Sequence, residues 1–383
     1  MTEQTSPNPK GRDAFGGKLE KGVSIRAIVD ALSVENVREA YSGLVEISDL
    51  KEHFGTDGHI LVVRGDKAYA DKEDYDPEVA NPKFWLYEKL IQSPEVQEAL
   101  QKHPEYKLFD GGGFSSLAAL RHHAKKLGHK AVFVMSAGIV IPENVRADEN
   151  IEIIQAEEHG EWGYVAAQAK ILSERKDVIP LHQALYGARA LAPIGNRVVE
   201  MLKESGVEPN STYWTIASGA SVIGIGGKIK EAFPEVETVV VEPDINKTVD
   251  PSLKLSDPVA VKAFAKDQLR HYSLKNWDKK HSGIYPLHIA RQNRYMLVKS
   301  AATGKVAFDK VVNVSMTEVE STRKQLSQIS PEFDWTKTTA LALVPAIQAA
   351  KKGQNVVVMS YGRFMQHEST DGIILDGGGR EVG

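Results

Sequence analysis

The chain contains no cysteine. That absence excludes disulfides, thiolate zinc sites, iron–sulfur clusters and a cysteine nucleophile together, and it suits a reducing compartment. Charge of one sign is also missing: 47 Lys and Arg stand against 51 Asp and Glu, a formal net charge of -4. So even a balance gives no electrostatic footprint for DNA, RNA or an anionic membrane. No segment approaches the roughly 18 uninterrupted apolar residues of a membrane-spanning helix. The opening MTEQTSPNPKGRDAFGG is polar and lacks the apolar core of a signal peptide. Nothing matches HExxH or another spaced metal-ligand set. These absences predict a soluble, cytoplasmic protein with a flexible tail over residues 1–16 and no metal, nucleic-acid or membrane partner.

What is present is length and a regular alternation. At roughly 150 residues per domain, 383 residues predict two to three domains with ample core. Short β-branched runs read as strands at His59–Arg64, Tyr106–Phe109, Ala131–Met135, Ile151–Gln155, Tyr213–Ala217, Val236–Glu242, Val311–Val314 and Asn355–Met359. Between them, helical periodicity marks Val34–Tyr41, Lys83–Leu100, Ser115–Leu127, Glu161–Lys176, Asn196–Ser205, Val222–Ala232, a helix from Thr317, and Thr339–Lys351. Such alternation is the pattern of α/β units around largely parallel sheets. Residues 71–78 read as an acidic loop, 376–383 as a loose glycine-rich tail, and 244–300 as irregular.

Three strand-to-helix junctions carry unusual small residues: Asp110-Gly111-Gly112-Gly113-Phe114-Ser115-Ser116, Ala217-Ser218-Gly219-Ala220-Ser221, and Met359-Ser360-Tyr361-Gly362-Arg363. In open α/β sheets ligands bind beyond the carboxyl ends of strands, and a small-residue loop opening a helix offers backbone N–H groups to an anion. Each loop taken alone also reads as a tight turn. Gly219, Gly224, Gly226 and Gly227, with Glu242 closing the next strand, admit a dinucleotide-binding reading, but the full G-x-G-x-x-G spacing at the turn is absent. His122 and His123 share the middle of a helix, where at least one is expected to face solvent. His271, Tyr272, His281, Tyr285 and His288 cluster in the irregular region, as surface residues or as part of a closing loop.

Taken in order, these blocks resemble pyridoxal-phosphate enzymes of the tryptophan-synthase-β/cysteine-synthase fold type (fold type II). ASGASVIGIGGKIKEAFPEVETVVVEP (217–243) resembles the family's phosphate loop, helix and following strand. GGGFSSLAALRHHAKKLGHKAVFVM (111–135) resembles its substrate-loop helix, and TTALALVPAIQAAKKGQNVVVMSYGR (338–363) its C-terminal helix and strand. NPKFWLYEKLI (81–91) resembles the lysine-bearing helix in the form found in aminocyclopropane-carboxylate deaminases and D-cysteine desulfhydrases. YGARALAPIGNRVVEML (186–202) resembles the helix before the phosphate strand in that subgroup.

The resemblance implies a role for each matching position. Lys83 matches the Schiff-base lysine, which also moves the substrate's α-proton; Lys89 on the same helix reads as a solvated alternative. Ser218, Gly219, Ala220 and Ser221 match the phosphate cup, and Ser360 the hydroxyl facing the pyridine nitrogen. Ser115 stands where the family's asparagine touches the cofactor's 3-hydroxyl. Gly112, Gly113, Phe114, Ser115 and Ser116 replace the loop that grips the substrate carboxylate, which points to an unusual substrate.

The family fold implied is a two-domain α/β enzyme with mostly parallel sheets flanked by helices and the cofactor in the interdomain cleft. Its large domain would be 17–91 with 196–383, and its small domain 92–195. The implied activity is a pyridoxal-phosphate-dependent lyase or β-replacement reaction on a small-molecule amino-acid substrate, by a homodimer. A nicotinamide-dependent Rossmann oxidoreductase and a non-catalytic, cofactor-binding relative are the alternatives.

Overall fold

The computed structural model describes residues 45–69, 81–135, 143–156, 170–215, 219–244, 308–329 and 336–361. It also describes isolated positions at 34, 37, 38, 41, 43, 73, 141, 167, 168, 367, 368, 374 and 375. The expectations for the N-terminal tail, the glycine-rich C-terminal tail and the histidine–aromatic cluster at 271–288 fall outside these residues, as does nearly all of the acidic loop.

The chain begins with β1 (Ile47–Asp49), a single turn α1 (Lys51–Phe54) and β2 (Ile60–Arg64). The helix predicted over 83–100 is two helices, α2 (Pro82–Ile91) and α3 (Pro94–Lys102). Ser93, held extended at φ -61 and ψ 144, breaks them, because the residue before a proline is sterically driven out of the helical region. Next come β3 (Lys107–Gly111), α4 (Phe114–Leu127), β4 (Ala131–Met135), α5 (Glu143–Arg146), β5 (Ile151–Gln155) and β6 (Val178–Pro180). The helix predicted over 161–176 is helical at 167, 168 and 170–174. Of the helix predicted over 34–41, Val34, Val37, Arg38 and Tyr41 are described, and none is helical.

A 23-residue helix, α6 (Gln183–Ser205), leads to β7 (Ser211–Thr215). It starts well before the predicted Asn196, since its two glycines and Pro193 mask the helical periodicity. A π-helical turn (Val222–Gly226) runs into α7 (Gly227–Ala232) and β8 (Glu237–Pro243). After β9 (Lys310–Val314), α8 (Met316–Ile329) and α9 (Lys337–Ala350), β10 (Val356–Ser360) closes the main body; β11 (His367–Glu368) and β12 (Ile374–Leu375) form a short antiparallel pair.

Two open sheets result. The six-stranded sheet has order β1-β2-β10-β7-β8-β9, parallel throughout except for β1 against β2. The four-stranded sheet, β5-β4-β3-β6, is entirely parallel. Continuous apolar runs such as Val356–Met359 are buried on both faces, as expected for parallel strands covered by helices. On the six-stranded sheet, Val62, Tyr213, Val239, Val241 and Val358 face a core closed by α9 and Leu326 of α8. The alternate residues Val63, Trp214, Val240 and Met359 face a larger core shared with α2, α4, α6 and the inner face of the four-stranded sheet. No helix among the described residues is long and apolar enough to cross a membrane.

Candidate active site

Each sheet has one place where the strand order reverses, and the three small-residue junctions lie at these two places. In the four-stranded sheet the chain steps from β3 outward to β4 and β5, then returns on the other side of β3 as β6. In the six-stranded sheet it steps from β7 to β8 and β9, then returns on the other side of β7 as β10. A crevice opens between carboxyl ends at such a reversal, and ligands bind there. Asp110–Gly113 and the start of α6 flank the first reversal, whereas the 219–221 loop and Ser360 flank the second.

Lys83 lies in the first turn of α2. The helix starts there because Asn81, itself buried and extended, accepts the Lys83 backbone N–H on its side-chain oxygen at 2.8 Å, with Pro82 pre-set at the first helical position. The rest of α2 is buried nearly all round, through Phe84, Trp85, Leu86, Tyr87, Leu90 and Ile91. Trp85 Nε1 donates to the Ala190 carbonyl at 3.0 Å, which pins α2 to α6. Lys89, the alternative lysine, rests its Nζ 4.6 Å from the centre of the Trp85 ring.

The Lys83 residue is partly exposed, yet its ammonium is enclosed, and desolvation lowers its pKa from 10.5 to about 8 against the raising influence of Asp110. A cation in the first turn of a helix also opposes the helix dipole, which works in the same direction. Nζ donates to Gln183 Oε1 at 2.5 Å. Asp110, 2% exposed, is pushed by burial from 3.8 up to about 7, although Gln183 N–H, Gly111 N–H, the Lys83 charge and the Tyr87 hydroxyl beside it all pull it down. Its carboxylate accepts Gly111 N–H at 2.8 Å and Gln183 N–H at 3.0 Å. A buried lysine shifted down and a buried acid shifted up, each feeling the other's charge, titrate as a coupled pair.

The phosphate-cup candidates stand close by. Gly219 has φ 88, a left-handed conformation that suits glycine alone among common residues, and Ala220 and Ser221 begin the helical turn that follows. A side chain on Gly187 of α6 would meet Ala220 Cβ and Leu86 Cδ1, each at 3.2 Å, so α6, the loop and α2 meet at one point. Ser218 lies outside the described residues. Ser360 closes β10 fully buried, and among the described residues its hydroxyl has no hydrogen-bond partner. Ser360 reaches α2 through Gly65, where a side chain would strike the Ser360 carbonyl at 2.3 Å and Pro82 Cγ at 2.7 Å. Tyr361 ties the second junction to the third: its hydroxyl donates to the Thr215 carbonyl at 3.1 Å and lies beside the Ser221 side chain, and burial raises its pKa.

The substrate-loop candidates line the turn from β3 into α4. Gly112 and Gly113 form the turn, Phe114 and Ser116 are buried, and Ser115 is partly exposed in the first turn of the helix. Ser116 Oγ comes within 3.3 Å of where a Gly112 Cβ would stand. His123 is buried, with Nε2 2.8 Å from the Phe84 carbonyl. His122 is partly exposed and packs against Tyr69 and Phe84. Both histidines therefore belong to an aromatic cluster beside α2. Asp110, Gln183, Tyr87 and Tyr361 are site residues to which sequence reading assigned no role. Among the described residues no group of His, Asp and Glu is placed to hold a metal.

Of the glycines that suggest a dinucleotide fingerprint, Gly224 and Gly226 lie inside the helical turn and serve packing. A Cβ on Gly224 would sit 2.4 Å from the Ala188 carbonyl oxygen, and one on Gly226 would sit 3.1 Å from the Trp214 ring. Their smallness lets α6 and β7 approach.

No protein-family model and no curated protein matches the sequence. Solved structures do match. The described sheets and helices have the two-domain α/β fold of fold type II pyridoxal-phosphate enzymes, mostly parallel sheets flanked by helices. One such structure is a lysine-to-alanine mutant of O-ureido-L-serine synthase with O-ureido-L-serine bound. It superimposes with a TM-score of 0.59 over 88% of this chain and 89% of that one, at 15% sequence identity.

The residues present fit pyridoxal phosphate on three independent counts. A buried amine of lowered pKa stands at Lys83, a left-handed glycine opens a helical turn at 219, and a buried hydroxyl without a partner ends β10 at Ser360.

Proposed function

We propose that the chain is a pyridoxal-phosphate-dependent enzyme of amino-acid metabolism that catalyses β-replacement, elimination or deamination. The observation that carries this reading is the convergence of the buried Lys83 amine, the Gly219–Ser221 turn and the orphaned Ser360 hydroxyl. The solved structure it resembles holds O-ureido-L-serine, an amino-acid derivative, which supports an amino acid as the substrate class.

Lys83 would hold the cofactor covalently, the backbone N–H groups of Gly219, Ala220 and Ser221 would hold its phosphate, and Ser360 would face its ring nitrogen. Bound pyridoxal phosphate supplies an electron sink that makes the α-proton of an amino acid labile. A free Lys83 amine, its pKa lowered by burial to about 8, would accept that proton from the substrate Cα. A hydroxyl at Ser360 does not force a proton onto the ring nitrogen, which favours prompt loss of a leaving group over longer-lived carbanion chemistry. Gly112, Gly113 and Ser115 bind the substrate carboxylate, with Phe114 and Ser116 setting the turn.

The test is spectroscopic. Adding pyridoxal phosphate to the full chain should give a visible absorbance band that borohydride removes, with the label recovered on the peptide carrying Lys83. Lys83→Ala should lack the band. A full-strength band in Lys83→Ala would exclude this lysine, and no band in the wild-type chain would refute the reading. Screening amino acids for a shift of the band then identifies the substrate.

A further inference from the structure

We propose that Gln183 is the positioning residue for the Lys83 amine: it holds the free amine at the carboxyl end of β3, beside Asp110 and facing the Gly111–Gly113 turn. The proposal rests on the reading of Lys83 given above and concerns the interval in which its amine is not bonded to cofactor.

The Gln183 side chain is buried and its orientation is set. Nε2 donates to the Gly111 carbonyl at 3.3 Å, so Oε1 is the end presented to Lys83, whose Nζ donates to it at 2.5 Å. The Gln183 backbone is held as well, its N–H donating to Asp110 Oδ2 at 3.0 Å. To aim that N–H, the chain passes through a left-handed conformation at His182, φ 52 and ψ 50. This is the sole non-glycine residue with positive φ among those described. Such a conformation costs about 1 kcal/mol or more for a side chain with Cβ, and here it seats Gln183 in the reversal between β3 and β6. The residue thus touches the lysine and the strand end that opens the substrate loop.

An amide oxygen is suited to this task. A carboxylate at the same place would form a buried ion pair and fix the lysine as ammonium, and an apolar side chain would leave the amine unanchored. Gln183 accepts a hydrogen bond from either protonation state, the stronger one from the ammonium. Among the described residues, the charged and titratable groups around the amine are Asp110 on β3 and the Tyr87 hydroxyl beside it. On α4, His122 and His123 turn to Tyr69 and Phe84, and Lys89 of α2 lies on Trp85.

The experiment measures how fast the full chain, freed of cofactor, develops the borohydride-reducible band on mixing with pyridoxal phosphate from pH 6 to 10. Attack needs the neutral amine, so the midpoint of the rate profile reports the Lys83 amine. For the wild type it is expected near 8. Gln183→Leu removes the acceptor that favours the ammonium, so its midpoint should fall by at least half a pH unit and its plateau rate should drop several-fold. Gln183→Glu keeps an acceptor and adds charge, so its midpoint should rise, and it decides the matter if the leucine variant does not fold. A purely structural role would slow uptake at all pH values with unmoved midpoints, and that result overturns the proposal. A wild-type chain that forms no band refutes the functional reading itself, and the proposal with it. A band in the wild type with coincident midpoints in all three proteins sinks the proposal alone.

Discussion

Two glycines three positions apart in one helical segment should respond oppositely to the same added methyl group. At Gly224, a Cβ would lie 2.4 Å from the Ala188 backbone oxygen, whereas ordinary contacts start at 3.4 Å. About 1 Å of separation is therefore missing. The obstacle is main chain inside the 23-residue α6, so no rotamer change relieves it and α6 must shift. At Gly227 the nearest atom, Val34 Cγ2, is 3.6 Å away, an ordinary contact. Replacing glycine by alanine within a helix gains up to about 1 kcal/mol at either site, so that gain cancels when the variants are compared. What remains is the overpacking cost, about 1–3 kcal/mol, toward the upper end because backbone must move. Urea denaturation followed by circular dichroism should place Gly224→Ala below wild type and Gly227→Ala at or above it, with equal slopes. Indistinguishable midpoints for the two variants would refute the packing account. If the glycines instead cradled a dinucleotide, both variants would fold normally and lose nucleotide affinity together.

Three further outcomes follow from the site. Asn81→Ala should cost about 1 kcal/mol through loss of the α2 cap and also weaken pyridoxal-phosphate uptake, because the cap fixes the backbone of Lys83; unchanged uptake would separate the cap from the site. The Asp110 carboxyl is held up to about 7 in the folded chain against an ordinary 3.8, so between those values the folded state keeps a proton that the unfolded chain has lost. Its contribution to stability therefore falls as pH rises through that window. Asp110→Asn should flatten that fall in cofactor-free protein, and parallel pH profiles for variant and wild type would contradict it. Ser360→Ala should leave the cofactor-free chain within about 1 kcal/mol of wild type, since the buried hydroxyl has no partner to lose. The same change should weaken pyridoxal-phosphate affinity measured by titration of the visible band, and unaltered affinity would remove Ser360 from the site.

The strands were legible because buried parallel strands leave uninterrupted β-branched runs, and the three junctions because glycine and serine cluster there, where the fold places the strand-order reversals. Lys83 was singled out by the resemblance of NPKFWLYEKLI to a lysine-bearing helix, and the fold encloses its amine beside Asp110 and Gln183. Gln183 left no such trace. It lies 100 residues from the lysine it contacts, and a glutamine in the first turn of a helix has no pattern that distinguishes it from a surface residue. Asp110 did carry a signal, an acidic residue ending the apolar strand Leu108–Phe109, which is costly unless the carboxylate is used or satisfied. The start of α6 was hidden because Gly187, Pro193 and Gly195 are read locally as helix breakers. In the fold, Gly187 and Gly195 are close-approach points against the 220–225 segment, a property of the partner helix that no local window contains.

Helix α6 also acts as a ruler. It starts at the strand reversal of one sheet with Gln183 and passes the phosphate-loop candidate at Gly187. It then meets the π-helical turn at Gly195 and ends at Gly206 beside the strand that leads to the other reversal. The spacing between Gln183 and the candidate phosphate cup is thus counted in turns of one rigid rod, roughly 1.5 Å per residue. One residue inserted between 183 and 187 would rotate one half of the site by about 100° against the other. The same insertion after Lys203 would be absorbed in the loop before β7. Length along this helix, more than any single side chain, is what a redesigned relative of this chain has to preserve.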